Sequence, residues 1–464
     1  MVKKNNSTII DLSVILVCVF FSLAGILINL NRFWQYESGY YDFGIFDQAI
    51  WKIAHFQAPI IDHFLVSGKI SLADHFHPSL YLLAPIYWFT SRSEALFIIQ
   101  DIFVGLSGFI IYLTGIKILK NKLLSLSVLI TYFLYVGLQN AIFSDFHEVT
   151  AMTLFLALTY WAIINGNKKL FFLFFLITLG FKESLFLLGI GISFFAFWLR
   201  REWKKTFIFS GIFSLLYGLV VIKIIIPFFS GGIYWYSISP IWNIRELFLN
   251  FFFPIIKIKT IFLTLFSFGF LPLLVPQSWL IFIFNFGSRF LANAPTRWDL
   301  GLHYNAEIAP TLAVSSLLAL NFIRQKLSKR ITYLVAIIIV INSFILYRFV
   351  LHGPFMLASN PIFYEHTKKF TYLDELTAKI PKNASVLAQN NLAAKFLHQE
   401  VWILRENYRQ HKAEYIIMDL RPGQNPNNFL GIENKEKLLK NILRDKDYRL
   451  FYHQGNRYIF KRAK

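Results

Sequence analysis

Two aspartates, Asp42 and Asp47, stand in the loop that follows the first apolar run, within the stretch YESGYYDFGIFDQAIW. A carboxylate held at a membrane surface can deprotonate a hydroxyl group or bind a metal ion. The same residues would also suit an ordinary solvated loop. Their position therefore makes them candidate catalytic acids without excluding the simpler role.

Acids and histidines also come just before two later apolar runs. The stretches ADHFHPSLYLLAPIYW and SDFHEVTAMTLFLAL contain Asp74, His75, His77, Asp145, His147 and Glu148. Asp74, His77 and His147 have metal-ligating side chains, and Asp145 and Glu148 are candidate catalytic acids or bases. Acids at such places also cap helices. The His-Glu pair is not a zinc-protease motif, because no second histidine follows it at the required spacing.

A lysine and a glutamate, Lys182 and Glu183, are neighbours in GFKESLFLLG, between two short apolar runs. Lys182 could hold a phosphate while Glu183 orients it, or the two could form an ion pair with each other. The stretch SRFLANAPTRWDLGLHYNAEIAP adds the candidate substrate-binding residues Arg289, Arg297, His303 and Tyr304. Asp299 and Glu307 are further polar residues of the same cluster. Loops outside the cytoplasm usually contain few basic residues. Arginines in this loop therefore favour an anionic partner such as a lipid phosphate.

Long apolar runs separate these clusters and define the class of protein. Of 464 residues, 56% are hydrophobic and 16% are charged, against about 25% charged in soluble domains. The runs predict an all-α polytopic bundle of about eleven spans, the first retained as a signal anchor. Cys18 is the single cysteine, which excludes disulfides within the chain. The net charge of +20 is assigned to loops between spans, so no nucleic-acid partner is expected.

Basic residues in short loops set the predicted orientation, because such loops are mostly cytoplasmic. Clusters at 3–4, 117–122, 168–169, 200–205 and 324–330 are placed inside. The N-terminus is then cytoplasmic, and the polar clusters all face outward. The run 79–90 is too short to cross the bilayer and is predicted to be re-entrant or half a span. The segment 246–256 is predicted to be an interfacial helix.

The composition changes near residue 350. Residues 1–350 are predicted to form the multi-span domain, with an acidic first outward loop at 31–78. Residues 355–464 are predicted to form a small extracytoplasmic α/β or α+β domain. Its short β-like runs lie at 385–389, 401–404 and 415–420, followed by a helix at 434–444 and a hairpin that turns at 454–456.

Several of these stretches together resemble one family. YYDFGIFDQAIW, DHFHPSLYLLAPIY, SDFHEVTAMTLFLALTYWAI, FKESLFLL, HYNAEIAP and ASVLAQNNLAAKFLHQEVWIL are similar to domain-of-unknown-function family 2079 of prokaryotic membrane proteins. The resemblance covers about residues 40 to 420. That family looks like a branch of the membrane glycosyltransferases of GT-C architecture. The resemblance to this family implies that the protein lies in the plasma membrane.

The resemblance implies sugar transfer from a polyprenyl-phosphate donor to an extracytoplasmic acceptor. The role of the acidic loop falls on Asp42 or Asp47, and the second outward acid is Asp145 or Glu148. Lys182, Arg289 or Arg297 would hold the leaving phosphate. Asp74, His77 and His147 would hold a divalent cation such as Mg²⁺ or Mn²⁺, if one is used. Besides the lipid bilayer and the lipid-linked sugar, no particular protein partner is implied.

Two alternatives stay open at this point. A transporter or lipid flippase would place charges near the bilayer midplane and show paired half-repeats, and no repeat is evident. A metal-dependent membrane hydrolase would use Asp74, His77, His147 and Glu148.

Overall fold

The computed structural model describes residues 2–236 and 243–463. The chain is mostly helical, with a small sheet near its C-terminus. Six helical segments are long and apolar enough to cross a membrane: Leu12–Trp34, Glu94–Leu119, Glu148–Asn165, Arg201–Ser230, His303–Lys326 and Lys329–Val350. The predicted fold class, an all-α transmembrane bundle, is therefore confirmed.

Two further candidate spans are bent pairs of helices. Lys122–Leu134 and Val136–Phe143 meet at 48°, and Ile244–Phe252 and Ile256–Ser267 meet at 63°. The first break falls at Tyr135, whose backbone leaves the helical region. The second pair includes the helix predicted to be interfacial. Counting each pair as one span gives up to eight spans in the described residues, fewer than the predicted number of about eleven.

The difference in number comes from apolar helices that are short. The runs predicted as spans at 169–181, 184–199 and 277–292 fold as Lys168–Leu179, Leu185–Leu199 and Trp279–Phe290. At a rise of about 1.5 Å per residue, none of them reaches the roughly 30 Å of a hydrocarbon core. The run predicted as re-entrant at 79–90 folds as a 3₁₀ helix, Pro78–Trp88, which is also too short.

The chain forms two compact units, which are described separately. The first comprises residues 1–28, 74–82 and 97–359, and the second comprises residues 29–73, 83–96 and 360–464. The predicted boundary near residue 350 remains a prediction.

Small residues allow close packing of helices in the first unit. Lys204–Val220 lies along Leu185–Leu199, and Trp279–Phe290 packs on the same helix. A Cβ atom added at Gly191 would lie 2.6 Å from Cγ1 and 3.1 Å from Cα of Ile281, so a larger residue there would push the two helices apart. Without a hydrophobic driving force between helices in lipid, such close contact is what holds apolar helices together.

The second unit contains a five-stranded mixed sheet. Its order is Val401–Ile403, Val386–Ala388, Tyr415–Asp419, Arg457–Arg462 and Tyr448–Gln454. The first three strands are parallel, and the last two form an antiparallel hairpin in which Gln454 pairs with Arg457. The predicted strands and hairpin are confirmed, as is the predicted helix, which spans Lys435–Leu443 and buries Leu438 and Ile442. Shorter elements of this unit include the helix Ile45–Ala54 and a two-stranded ribbon, Ile60–Ile61 with Lys69–Ile70.

Candidate functional site

A buried ion pair lies at the centre of the first unit. Lys182, between the helices Lys168–Leu179 and Leu185–Leu199, places Nζ 2.8 Å from Oε1 of Glu148. Glu148 begins its own helix and is fully buried. The sequence left open whether Lys182 would pair with its neighbour Glu183, and the structure gives the two residues different partners.

Glu183 pairs instead with His75. Nδ1 of His75 lies 2.9 Å from Oε1 of Glu183, and the backbone N–H of Phe76 donates to Oε2 at 3.1 Å. The hydroxyl of Tyr234 donates to Oε1 at 3.1 Å. Burial favours the neutral carboxyl, but the charge and hydrogen bond of His75 and the charge of Lys182 outweigh it and lower the pKa of Glu183 to about 2.

The segment that carries His75 is fixed by contacts on either side. The hydroxyl of Tyr236 donates to Oδ1 of Asp74 at 2.5 Å, and its ring stacks on His75 with centroids 4.4 Å apart. The backbone N–H of Ser79 donates to the carbonyl oxygen of Gly180 at 2.9 Å. The predicted polar clusters around residues 74 and 182 are therefore brought together.

The third predicted cluster joins this group through two histidines. The rings of His147 and His303 stack with centroids 3.7 Å apart, and His303 also contacts Tyr304 at 4.1 Å. Among the described residues, Oε2 of Glu148 and Nδ1 of His303 are buried without a hydrogen-bond partner. Buried polar atoms are rarely left unsatisfied, so these two atoms indicate a ligand or water.

Gln100 shapes the turn before Glu148. Its Oε1 accepts from the backbone N–H of His147 at 2.9 Å, and its Nε2 donates to the carbonyl oxygen of Asp145 at 3.4 Å. Asp145 is buried and has a positive φ of 66°. The sequence analysis missed Gln100, although a glutamine beside Asp101 inside a long apolar run is a detectable signal.

The arrangement does not fit a divalent cation well. Among the described residues, no three histidine, cysteine or acidic side chains are grouped so that they could hold a metal ion. Lys182 already neutralises Glu148, and Asp74 accepts from Tyr236. No chemical step is therefore assigned to a metal ion here.

The two predicted arginines have different environments. The guanidinium of Arg289 is buried and donates to the carbonyl oxygens of Arg297 and Asp299 at 2.9 and 2.7 Å and to Oδ1 of Asn305 at 3.0 Å. Arg297 lies over the rings of Tyr236 and Tyr304, at 5.6 and 5.5 Å from their centroids. Within the described residues its guanidinium donates no hydrogen bond, so Arg297 can bind an anion and Arg289 holds the loop.

These side chains line a cavity of about 580 Å³. Its polar lining comprises His75, Lys182, Glu183, Lys223, Tyr234, Tyr236, Arg289, Arg297, Tyr304 and Glu307. Oε2 of Glu307 accepts from Nδ2 of Asn285 at 2.8 Å. The cations of the lining outnumber its carboxylates, so the cavity suits a negatively charged ligand.

The sequence analysis missed Lys223 in this lining. It lies within the candidate span Arg201–Ser230, in a π-helical turn at Val221–Ile225. A lysine inside a long apolar run is expensive in lipid and often functional, and π-helical turns are frequent at functional sites. That signal was available in the sequence.

An apolar groove of about 500 Å³ adjoins the polar cavity. Leu187 and Ser288 line both, and the rest of the groove is formed by the helices Ile244–Phe252 and Trp279–Phe290. Its lining includes Phe248, Phe251, Phe252 and Phe284. A charged cavity that continues into an apolar groove suits a ligand with an anionic head and a hydrocarbon tail.

The second unit contains the other two predicted catalytic acids, Asp42 and Asp47, which differ in burial. Asp47 is fully buried and accepts from Ser93 at 2.9 Å, from His398 at 2.9 Å and from the hydroxyl of Tyr87. Ser93 and His398 both contact Oδ2 of Asp47, so this cluster is not a relay with histidine between the other two. Its hydrogen bonds indicate that Asp47 holds the loop in place.

Asp42 is exposed and has an unusual backbone. Its φ of 78° and ψ of −88° interrupt the helical turn Tyr40–Gly44. This γ-turn-like conformation is strained for a residue other than glycine. Strain of this kind is concentrated at functional sites. Of the two acids in the first loop, Asp42 is therefore the stronger catalytic candidate.

Several apolar helices of spanning length define a multi-pass membrane protein. The chain belongs to the predicted membrane protein family DUF2079, whose model matches residues 32–456. The predicted resemblance is confirmed.

The fold is similar to that of a solved membrane protein, ArnT from Cupriavidus metallidurans, whose structure is bound to undecaprenyl phosphate. The identity is 8% and the TM-score 0.52, over 96% of this chain and 97% of the other. This likeness confirms the predicted GT-C-like architecture. No curated protein matches the chain.

Proposed function

We propose that this protein is a membrane glycosyltransferase that moves a sugar from a polyprenyl-phosphate donor to an acceptor outside the cytoplasm. The observation that carries the proposal is the junction of the cationic cavity and the apolar groove at Leu187 and Ser288. The phosphate would lie among the cations and the prenyl chain along the phenylalanines. The likeness to ArnT supports this donor class.

In the proposed reaction, a carboxylate takes the proton from a hydroxyl group of the acceptor. The oxygen attacks the anomeric carbon, and the bond from that carbon to the phosphate oxygen breaks. Polyprenyl phosphate leaves with the bonding electrons, and the configuration at the anomeric carbon is inverted. We assign the base to Asp42, because it is exposed in a strained turn while Asp47 is buried.

The leaving phosphate gains negative charge as the bond breaks, so cations that face it stabilise the transition state. Arg297 and Lys223 line the cavity and make no ion pair within the described residues, which suits this role. Lys182 is paired with Glu148 and would support this part of the cavity lining. His303 and Tyr304 would contact the sugar, because Nδ1 of His303 has an unmet hydrogen bond in the described structure. We place the C-terminal domain and the site outside the cytoplasm, at the plasma membrane.

A lipid flippase is the second candidate. Lys223 inside the candidate span Arg201–Ser230 favours it, because charges within spans mark translocation pathways in transporters. A flippase would bind the same lipid phosphate and break no bond.

The test is sugar transfer in proteoliposomes that contain the purified protein, a panel of radiolabelled polyprenyl-phosphate sugars and a membrane extract as the source of acceptor. Label that moves to a new product with wild type and not with Asp42→Asn supports the transferase. A folded wild-type protein that moves no label, but carries the intact lipid across the bilayer, would support the flippase instead.

A further inference from the structure

The second unit contains a cavity of its own, of about 340 Å³. It is lined by the end of the helix Val2–Trp34, by the residues that follow that helix and by the loop after the strand Tyr415–Asp419. Its polar lining comprises Arg32, Gln35, Glu37, His366, Asn391, Arg421, Gln424, Asn425 and Asn428. None of these residues has a part in the proposed transfer reaction.

Two arginines line the cavity, and one of them is already paired, because Nε of Arg32 lies 3.4 Å from Oε2 of Glu37. The other, Arg421, keeps donors for an anion. Nε of Arg421 donates to Oδ2 of Asp419 at 2.8 Å, and this contact fixes the plane of the guanidinium. Its two terminal nitrogens donate no hydrogen bond within the described residues. Arg421 also lies 5.3 Å from the centroid of Phe370. A planar guanidinium held in this way matches the two oxygens of a carboxylate.

The same cavity presents a donor and an acceptor on buried amides. Oδ1 of Asn391 accepts from Gln389 at 2.9 Å, and Nδ2 of Asn428 donates to Gln424 at 3.2 Å. Within the described residues, Nδ2 of Asn391 and Oδ1 of Asn428 make no hydrogen bond. One donor and one acceptor are what a sugar hydroxyl group requires, because it both accepts and donates.

The lining contains no leucine, isoleucine, valine or methionine in its described part. Tyr36, Phe370 and Pro422 are its larger apolar side chains, in contrast to the groove of the first unit, which is lined mainly by leucine, isoleucine and phenylalanine. Arg32 lies in the last turn of the candidate span Leu12–Trp34, so the cavity is close to one surface of the membrane. Its ligand would therefore be a polar molecule that reaches the membrane surface from the aqueous side.

We propose that this cavity binds an acidic saccharide, with its carboxylate on Arg421 and its hydroxyl groups on Asn391 and Asn428. If the proposed transfer reaction is correct, such a saccharide would be the acceptor or the part of it that docks. Binding itself does not depend on that reaction, so it is measured without any donor lipid.

The test measures binding of a short uronic acid oligomer to the full-length protein in detergent by isothermal titration calorimetry. The comparison ligand is a neutral hexose oligomer of equal length. Asn425→Asp places a carboxylate in the lining, and it keeps the hydrogen bond that Oδ1 of Asn425 accepts from the N–H of Asn427 at 3.0 Å. Asn427→Asp is the matched control, because Asn427 is exposed and does not line the cavity.

We expect Asn425→Asp to weaken binding of the acidic oligomer about tenfold or more, with little change for Asn427→Asp. Arg421→Gln should also weaken it, and Arg449→Gln, the same change at an exposed residue of the same unit, should not. Equal binding of both oligomers would overturn the proposal. So would a correctly folded protein, shown by a cooperative unfolding transition, that does not bind the acidic oligomer. Displacement of the oligomer by vesicles of anionic phospholipid, and not by neutral ones, would assign the cavity to a lipid headgroup instead.

Discussion

The ammonium nitrogen of Lys182 lies 2.8 Å from Oε1 of Glu148, although 34 positions separate the two residues. The pair joins the start of the helix Glu148–Asn165 to the turn that also carries Glu183. It lies beside the cavity in which the donor phosphate is proposed to bind.

Loss of one partner of this pair should destabilise the fold. Lys182→Met leaves Glu148 charged and buried without compensation, and breaking a buried pair in this way costs about 3–5 kcal/mol. The double variant Lys182→Met/Glu148→Gln should recover much of that loss, because it removes both charges. Denaturant unfolding in detergent compares both variants with wild type. A single variant as stable as wild type would show that the pair contributes little.

Asp42 and Asp47 should respond differently to the same substitution. Asp42→Asn should lower sugar transfer by about 10² to 10⁴-fold and change the unfolding temperature little, because it removes a base at an exposed position. Asp47→Asn should lower the unfolding temperature, because the amide cannot accept from Tyr87, Ser93 and His398 together. The reverse pattern would move the base to Asp47.

Lys223 should contribute to binding of the donor. Lys223→Gln should raise the Kd for polyprenyl phosphate about tenfold, because a charge-assisted contact to phosphate is lost. Lys205→Gln removes the same charge from the same helical segment, at an exposed position outside the cavity, and should bind as wild type. Scintillation proximity with labelled lipid measures both. Equal affinities would exclude Lys223 from the phosphate site.

The apolar groove should sense the length of the prenyl chain. Gly287 lines it, and a Cβ atom there would meet only the ring of Phe251, at 3.8 Å. Gly287→Phe should therefore fold normally and fill the groove. Transfer from a long-chain donor should fall, and transfer from a short-chain analogue that does not reach the groove should persist. A loss with both donors would place the tail elsewhere.

The pair of His75 and Glu183 should make stability depend on pH. Burial lowers the pKa of His75, but the charges of Glu183 and Asp74 outweigh it and raise that pKa above 6.5. Charged His75 therefore stabilises the fold below pH 6.5, and this contribution is lost as the pH rises through the raised pKa. Glu183 stabilises the fold above pH 4.5, and its contribution is lost as the pH falls towards about 2.

The unfolding temperature, measured from pH 3 to pH 9, should then have a plateau between these limits and decline on both sides. His75→Gln should flatten the alkaline decline, because the titrating group is gone. An alkaline decline that persists unchanged in this variant would assign it to another group.

The class of fold was predictable from the sequence. Apolar runs of spanning length and turns rich in lysine and arginine are local patterns, and so are the alternating strands and the turn at Gly455 of the terminal hairpin. The number of spans was less predictable. An apolar run looks alike whether it crosses the bilayer or ends after 12 residues, as Lys168–Leu179 does.

The sequence alone determined which residues are polar in an apolar chain, and these include His75, Lys182 and Glu183 in the lining of one cavity. The tertiary structure decided how they pair. Lys182 and Glu183 are adjacent, yet they contact Glu148 and His75, because neighbouring side chains in a turn point in different directions. The helical periodicity of the sequence predicts the face of a helix on which a residue lies. The residue that it contacts depends on which helices pack together in the tertiary structure.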